Sequence, residues 1–207
     1  MTPTPRKGAR RVAEIPPETL EAINRGEIET VNLVEYVAAD LARLLPAAAV
    51  RIDLDPAHPE ILATVALLPT LKPMQRHWAA AGALHRIIAD DTRRRQALAT
   101  QPSDILRQWA AMCCGLDAEK TLAERLADAR PFAADPHFGV REIAWLAVRN
   151  AVVAETALAL ELLQPWVSEA EANLRRFASE LTRPRGVWCA HIESLKQDPA
   201  PGLALLQ

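Results

Sequence analysis

The groups in this chain that could do chemistry are carboxylates, guanidiniums and indoles, and they thicken toward its C-terminal part. Trp166 and Trp188 enclose Arg175, Arg176, Arg183 and Arg185. Guanidinium forks match phosphate oxygens, and indole faces match sugars and bases. Each Trp taken alone still reads first as a filler between helices. In Thr182-Arg-Pro-Arg-Gly186 the proline confines Arg183 to an extended conformation. Two Arg flanking a Pro at a helix start would present guanidinium and backbone N–H groups to one anion. Other chemistries lack their residues. The seven glycines are too far apart for a phosphate loop. No His-Glu-x-x-His, Cys-x-x-Cys or Gly-x-Ser-x-Gly pattern occurs. Cys113 and Cys114 adjoin Ala110, Ala111 and Met112 and read as packing. His77 and His85 read as surface or half-buried residues. Neither a metal nor a cofactor is expected.

Whatever positions these groups should be helical. Half of the 207 residues are hydrophobic, with Ala and Leu prominent, and only nine are aromatic, five of them Trp. That balance favours helix over strand, and no segment shows sustained alternation between hairpin turns. An all-α fold is expected. Pro16-Pro17 opens a short helix that Gly26 closes. Thr30 caps the next, with an apolar stripe from Val31 to Leu45 and an end at Pro46. A helix follows over about 59–68, and helix starts recur at Pro73, Ser103, Asp117, Pro136, Ser168 and Thr182, with Ser168 and Glu171 as a capping box.

One pattern repeats. Leu106-Arg-Gln-Trp-Ala110, Val140-Arg-Glu-Ile-Ala144 and Leu174-Arg-Arg-Phe-Ala178 are successively 34 residues apart, and Gln75-Arg-His-Trp-Ala79 is a weaker copy 31 residues earlier. A fixed period of this size signals stacked helix pairs, an α-α superhelix, and aliphatic-Arg-x-x-Ala on the second helix resembles a HEAT repeat. The recurring Arg76, Arg107, Arg141 and Arg175 then form a ladder, whose plainest use is pairing with an acid or a carbonyl of the next repeat. The following row changes character, His77, Gln108, Glu142, Arg176, as an exposed recognition row would. Glu142 beside Arg176 is also simply a salt bridge. The expected organisation is a flexible basic arm over 1–14, an N-terminal helical cap over 15–71, and HEAT-like repeats over 72–207. The final Gly202-Leu-Ala-Leu-Leu206 reads as the first helix of an incomplete repeat.

The net charge of −2 conceals segregation. Residues 1–11 hold four bases and no acid, 12–71 three bases and ten acids, 72–96 six bases and two acids, and 171–196 five bases and three acids. Such blocks permit a basic surface for a polyanion, although solvated faces explain most charge runs. An electropositive concave surface is expected from Arg76, Arg141, Arg175, Arg176, Arg183 and Arg185. There is no apolar run long enough to span a membrane and no apolar segment behind the basic start. Three Cys give no disulfide framework, so a cytoplasmic setting is expected.

The sequence resembles the DNA alkylation repair enzymes, HEAT-like repeat DNA glycosylases of the AlkC/AlkD type. Leu20-Glu-Ala-Ile-Asn-Arg-Gly-Glu-Ile-Glu-Thr-Val-Asn-Leu-Val-Glu35 looks like the opening of the AlkC-like branch. Phe138-Gly-Val-Arg-Glu-Ile-Ala-Trp145 and Asn173-Leu-Arg-Arg-Phe-Ala-Ser-Glu180 look like its repeat motifs, and Arg183-Pro-Arg-Gly-Val-Trp188 is similar to its loop. The resemblance covers nearly all of residues 11–207. It implies hydrolysis of the glycosidic bond of N3- or N7-alkylated purines in double-stranded DNA, by a monomer without membrane contact. Glu142 corresponds to the catalytic carboxylate, four residues after an aromatic position filled by Phe138, and Arg176 to the phosphate-side arginine. Trp145 and Trp188 would complete the substrate lining, and Arg141, Arg175, Arg183 and Arg185 would bind DNA. The carboxylate's task is to stabilise positive charge developing on the sugar; an alkylated purine is already cationic, so no general acid is needed. The alternative from another class is a non-catalytic HEAT-like module that binds DNA or a protein partner.

Overall fold

Proline, acidic and amide residues before apolar stretches start most of the helices. The computed structural model describes residues 6–206, and all regular elements among them are helical. The α-helices are α1 (Pro17–Asn24), α2 (Leu33–Ala38), α3 (Leu41–Arg51), α4 (Pro59–Leu67), α5 (Pro73–Ile88), α6 (Thr92–Ala99), α7 (Asp104–Leu116), α8 (Leu122–Ala133), α9 (Phe138–Ala154), α10 (Thr156–Leu163), α11 (Ala172–Thr182) and α12 (Glu193–Gln197). Among the described residues, no helix is long and apolar enough to cross a membrane. The chain divides into two compact units, Met1–Ala110 and Ala111–Gln207. The division falls inside α7, not between residues 71 and 72, because α5 packs on α3 and α4 of the expected cap.

In the first unit, α1 closes at Gly26, whose φ of +69° is the left-handed conformation glycine adopts without a Cβ penalty. The stripe expected to form one helix from Thr30 splits in two. Asn32 caps α2 through the Glu35 N–H at 3.1 Å, and Asp40 caps α3 through the Ala42 N–H at 3.0 Å. Thr30 is used elsewhere: its N–H and hydroxyl bond the buried Asp104 carboxylate at 2.8 and 2.9 Å. Pro46 does not end its helix but lies within α3. The lost backbone bond is offset by full burial of Leu44, Leu45, Ala48 and Ala49 around it. Residues 1–5 of the expected arm lie outside the described residues. From Arg6 onward the arm is docked, with the Arg6 guanidinium on the buried Glu35 carboxylate at 2.6 and 2.8 Å and Asn32 Nδ2 donating to the Ala9 carbonyl at 2.9 Å.

In the second unit, α9 packs against α8 and α11 around Leu126, Val140, Ile143, Val148, Trp166, Leu174 and Phe177. Trp166 stacks on Phe177 with centroids 5.2 Å apart, and the Arg130 guanidinium lies 5.0 Å from the Trp166 ring centre. Helix starts keep the sequence period: α8 and α10 begin at 122 and 156, and α9 and α11 at 138 and 172. Three starts are displaced from the expected residues. Thr121, with Glu124 as its capping-box partner, starts α8; Glu171, not Ser168, caps α11; and Thr182 ends α11. The Thr182 hydroxyl bonds the Ala178 carbonyl at 2.7 Å, a bond made inside a helix rather than at an N-cap. Of Gly202–Leu206, expected as a helix, residues 202–205 belong to a 3₁₀ turn over Ala200–Leu205, where Pro199, Pro201 and Gly202 disfavour α geometry.

Candidate functional site

Arg107, Arg141 and Arg175 each occupy the fourth position of their helix. Each turns one terminal nitrogen back onto two carbonyls five and six residues earlier. Arg107 reaches Gln101 and Pro102, both at 2.9 Å; Arg141 reaches Asp135 and Pro136 at 2.6 and 2.8 Å; Arg175 reaches Glu169 and Ala170 at 2.6 and 2.9 Å. Arg76 makes the short form, Nε to the Leu71 carbonyl at 2.9 Å. The ladder is therefore a clasp between each helix and its own preceding loop; Arg107 in addition donates from Nη2 to the Glu29 carboxylate. For Arg141 and Arg175, expected on DNA, the clasp has an electrostatic consequence. A carbonyl satisfies hydrogen-bonding capacity without cancelling charge, so both remain net cations.

The row after the ladder separates by unit. His77 and Gln108, expected to be exposed, are buried. Tyr36 of α2 stacks on His77 at 4.8 Å, Trp109 Nε1 donates to His77 Nδ1 at 3.2 Å, and Gln108 donates to Asp104 at 3.1 Å. Glu142 on α9 and Arg176 on α11 are open instead, with side chains 44% and 47% exposed. Arg176 donates to Glu142 across the two helices at 3.3 Å and lies 3.6 Å from Glu180. The expected neighbourhood of Glu142 and Arg176 is present. It is a solvated ion pair, of the kind whose net stabilisation is about 0–1 kcal/mol.

Phe138 stands one turn before Glu142 on the same side of α9, 46% exposed and stacked on His137 at 4.8 Å. Trp145, expected in the same lining, is buried. It falls on the core side of α9 with Ile143, Ala144 and Val148, so its ring offers no free face, and its Nε1 has no hydrogen-bond partner. Trp188 is the opposite case at 85% exposed, next to Val187 at 83%. Arg183 has extended backbone, ψ 126°, as Pro184 demands, and its guanidinium pairs with Glu180. Arg185 is exposed. Because α11 ends at Thr182 and α12 begins only at Glu193, the loop follows a helix C-terminus; the expected helix-start N–H groups are not there.

Arg149, which the motifs above did not single out for any role, holds the loop after α11 in place. It is 1% exposed and bonds three carbonyls: Nε to Ala190 at 2.9 Å, Nη2 to Arg183 at 2.6 Å, and Nη1 to Leu181. It thereby pins both ends of the loop that carries Arg185, Val187 and Trp188. Burial pushes its pKa below the usual guanidinium value. Its mark in the sequence is a lone cation within the apolar run Ile143-Ala-Trp-Leu-Ala-Val-Arg-Asn-Ala-Val-Val153-Ala154. A cavity of about 310 Å³ opens beside the end of α11, lined among others by Glu180, Arg183, Pro184, Leu195 and Leu203. Glu142 is not in its lining. Among the described residues, no group of three or more His, Cys, Asp or Glu is arranged to hold a metal ion. No protein-family model matches the chain, and no curated protein or solved structure matches it.

Proposed function

We propose that the second unit is built of HEAT-like repeats of the DNA alkylation-repair type, and that it excises cationic N3- or N7-alkylated purines with Glu142 as the carboxylate at the sugar. The 34-residue recurrence of helix starts and of the arginine clasp supports the repeat reading. The observation that carries the activity is the open Glu142–Arg176 pair, a carboxylate and a phosphate-binding group 3.3 Å apart on neighbouring helices. Arg141 and Arg175, held by carbonyls rather than carboxylates, add uncancelled positive charge. The exposed Trp188 on its pinned loop supplies an aromatic surface.

In this reading a duplex phosphate takes Arg176 from Glu142 on binding. The freed carboxylate then faces the deoxyribose and stabilises its oxocarbenium character; the alkylated base leaves with the bonding pair as a neutral molecule, and a water adds at C1′ and gives its proton to solvent. Arg183 and Arg185 track the backbone. One observation favours a second reading, a non-catalytic DNA-binding module: in the free protein Arg176 offsets the field of Glu142, so the pair serves binding unless DNA separates it. Duplex affinity and base release, measured on Glu142→Gln and Arg176→Ala, test the proposal. Glu142→Gln should keep duplex affinity and lose release, and Arg176→Ala should lose both. Release unchanged in Glu142→Gln contradicts the activity; release absent in the wild type, with salt-sensitive duplex binding, selects the binding module.

A further inference from the structure

The last turn of α11 carries an acid where a helix disfavours one. Glu180 lies two residues before the end of the helix, against the negative end of its dipole. It also follows Arg176 by four residues, the less favourable order for an acid and a base on one helix face. Local helix stability does not account for it; its contacts do. Glu180 is the least exposed member of the charged cluster here, its side chain 16% exposed against 47% for Arg176 and 51% for Arg183. Its two oxygens face different guanidiniums: Oε1 lies 3.6 Å from Arg176 Nη2, and Oε2 accepts from Arg183 Nη2. The backbone beneath is fixed as well, since Arg149 holds the carbonyls of Leu181 and Arg183.

We propose that Glu180 is a positioning residue, which holds Arg176 and Arg183 side by side for the phosphate backbone of a DNA duplex. The inference rests on the DNA reading above and adds to it a residue that itself touches no DNA. Two neighbouring guanidiniums repel each other, and each loses rotamer freedom when it is fixed on a phosphate. A carboxylate between them offsets the repulsion and removes part of that ordering cost before the duplex arrives. The three side chains together keep one net positive charge, so the cluster still attracts a phosphate. Glu142 takes a different part: it is open and gives Arg176 up to the duplex, whereas Glu180 keeps both arginines in place. The plain alternative is an acid that only adds negative charge near the DNA. Removing such an acid tightens binding, whereas removing a positioning carboxylate loosens it.

Duplex affinity at low salt and the thermal midpoint of the full chain, both measured on Glu180→Gln, test the proposal. The substitution keeps the shape of the side chain and removes its charge. The midpoint should change little, since the lost ion pairs and the relieved helix dipole oppose each other. Duplex affinity should nevertheless fall about fivefold, the upper weight of a partly exposed ion pair, although the protein has lost a negative charge. In an Arg176→Ala/Arg183→Ala background the sign should reverse: with no guanidiniums left to position, Glu180→Gln should bind duplex slightly tighter. Equal or higher affinity in Glu180→Gln alone overturns the inference and leaves the DNA reading standing. So does a loss that persists in the double-alanine background, or one matched by a fall in the midpoint, which would make Glu180 a residue of the fold. A wild type without salt-sensitive duplex binding overturns the DNA reading and this inference with it.

Discussion

A buried arginine held only by carbonyls is a fastener rather than a member of an ion pair, and Arg149 fastens one specific thing. Its three acceptors lie at Leu181, Arg183 and Ala190, on both sides of the exposed Val187-Trp188 pair. Arg149→Met keeps much of the volume but leaves those carbonyls without their donor. It should cost about 2–4 kcal/mol in urea unfolding, and limited proteolysis should begin within 183–190. Full stability with a protected loop would contradict that role. His77 makes a second prediction at this scale. Burial lowers its pKa from 6.5 to about 4, with Tyr36 stacked on it and Trp109 donating to it. Between those values the unfolded chain binds a proton that the folded chain does not, so stability rises with pH across that window. It is lost as pH falls from 6.5 toward 4, by at most about 3 kcal/mol, and the loss stops below 4. Buried Glu35 acts lower: burial pushes its carboxyl up, but the Arg6 guanidinium and the Val31 and Ala9 N–H groups outweigh that and hold it below the usual value, so its share is lost progressively as pH falls through the usual carboxylate range and below it. In His77→Phe the unfolding free energy should be nearly flat between about pH 6.5 and 5.5, where His77 dominates the wild-type slope.

At the scale of elements, the end of α7 meets α9 backbone to side-chain-free backbone. A Cβ on Gly115 would stand 1.9 Å from the Ala147 carbonyl oxygen. Neither atom is the end of a flexible side chain, so Gly115→Ala must push the two helices apart. It should cost about 3 kcal/mol and lower the thermal midpoint; an unchanged midpoint would contradict the packing. This contact left no mark in the sequence, because a glycine inside Cys113-Cys114-Gly-Leu116 reads only as a weak helix residue. The 34-residue period was legible, since each copy repeats both the aliphatic-Arg-x-x-Ala spacing and the helix that begins three residues before its arginine. What the arginine does was not legible, because an acid, a neighbouring carbonyl and a carbonyl of the same loop all suit a guanidinium. Glu142 beside Arg176 followed from the period alone, one residue past the ladder on adjacent second helices. The burial of His77 and Gln108 in the same row did not, since it depends on Tyr36 and Thr30 arriving from elsewhere in the chain. The splitting of the Val31–Leu45 stripe turned on Asp40, a cap that apolar periodicity overrode.

For the molecule as a whole, a net charge of −2 argues against nonspecific attraction to DNA, so any duplex binding must come from local fields. The second unit has the means: Arg141 and Arg175 keep their charge because carbonyls hold them, and Arg185 is exposed. Duplex affinity should therefore fall steeply with salt, and Arg176→Ala should lower the log–log slope by about 0.9, the counterions one phosphate contact releases. Arg175→Ala should also lower stability, because it opens the clasp of α11. A flat salt response would leave no DNA face on this unit. The most direct test of the central claim is release of 7-methylguanine from alkylated duplex DNA under single-turnover conditions, compared between the wild type and Glu142→Gln. Transition-state electrostatics of this kind are worth about a hundredfold or more in rate. The expected result is release by the wild type and at least that loss in Glu142→Gln at equal duplex affinity. Equal release by the two proteins, or none by the wild type, would contradict it.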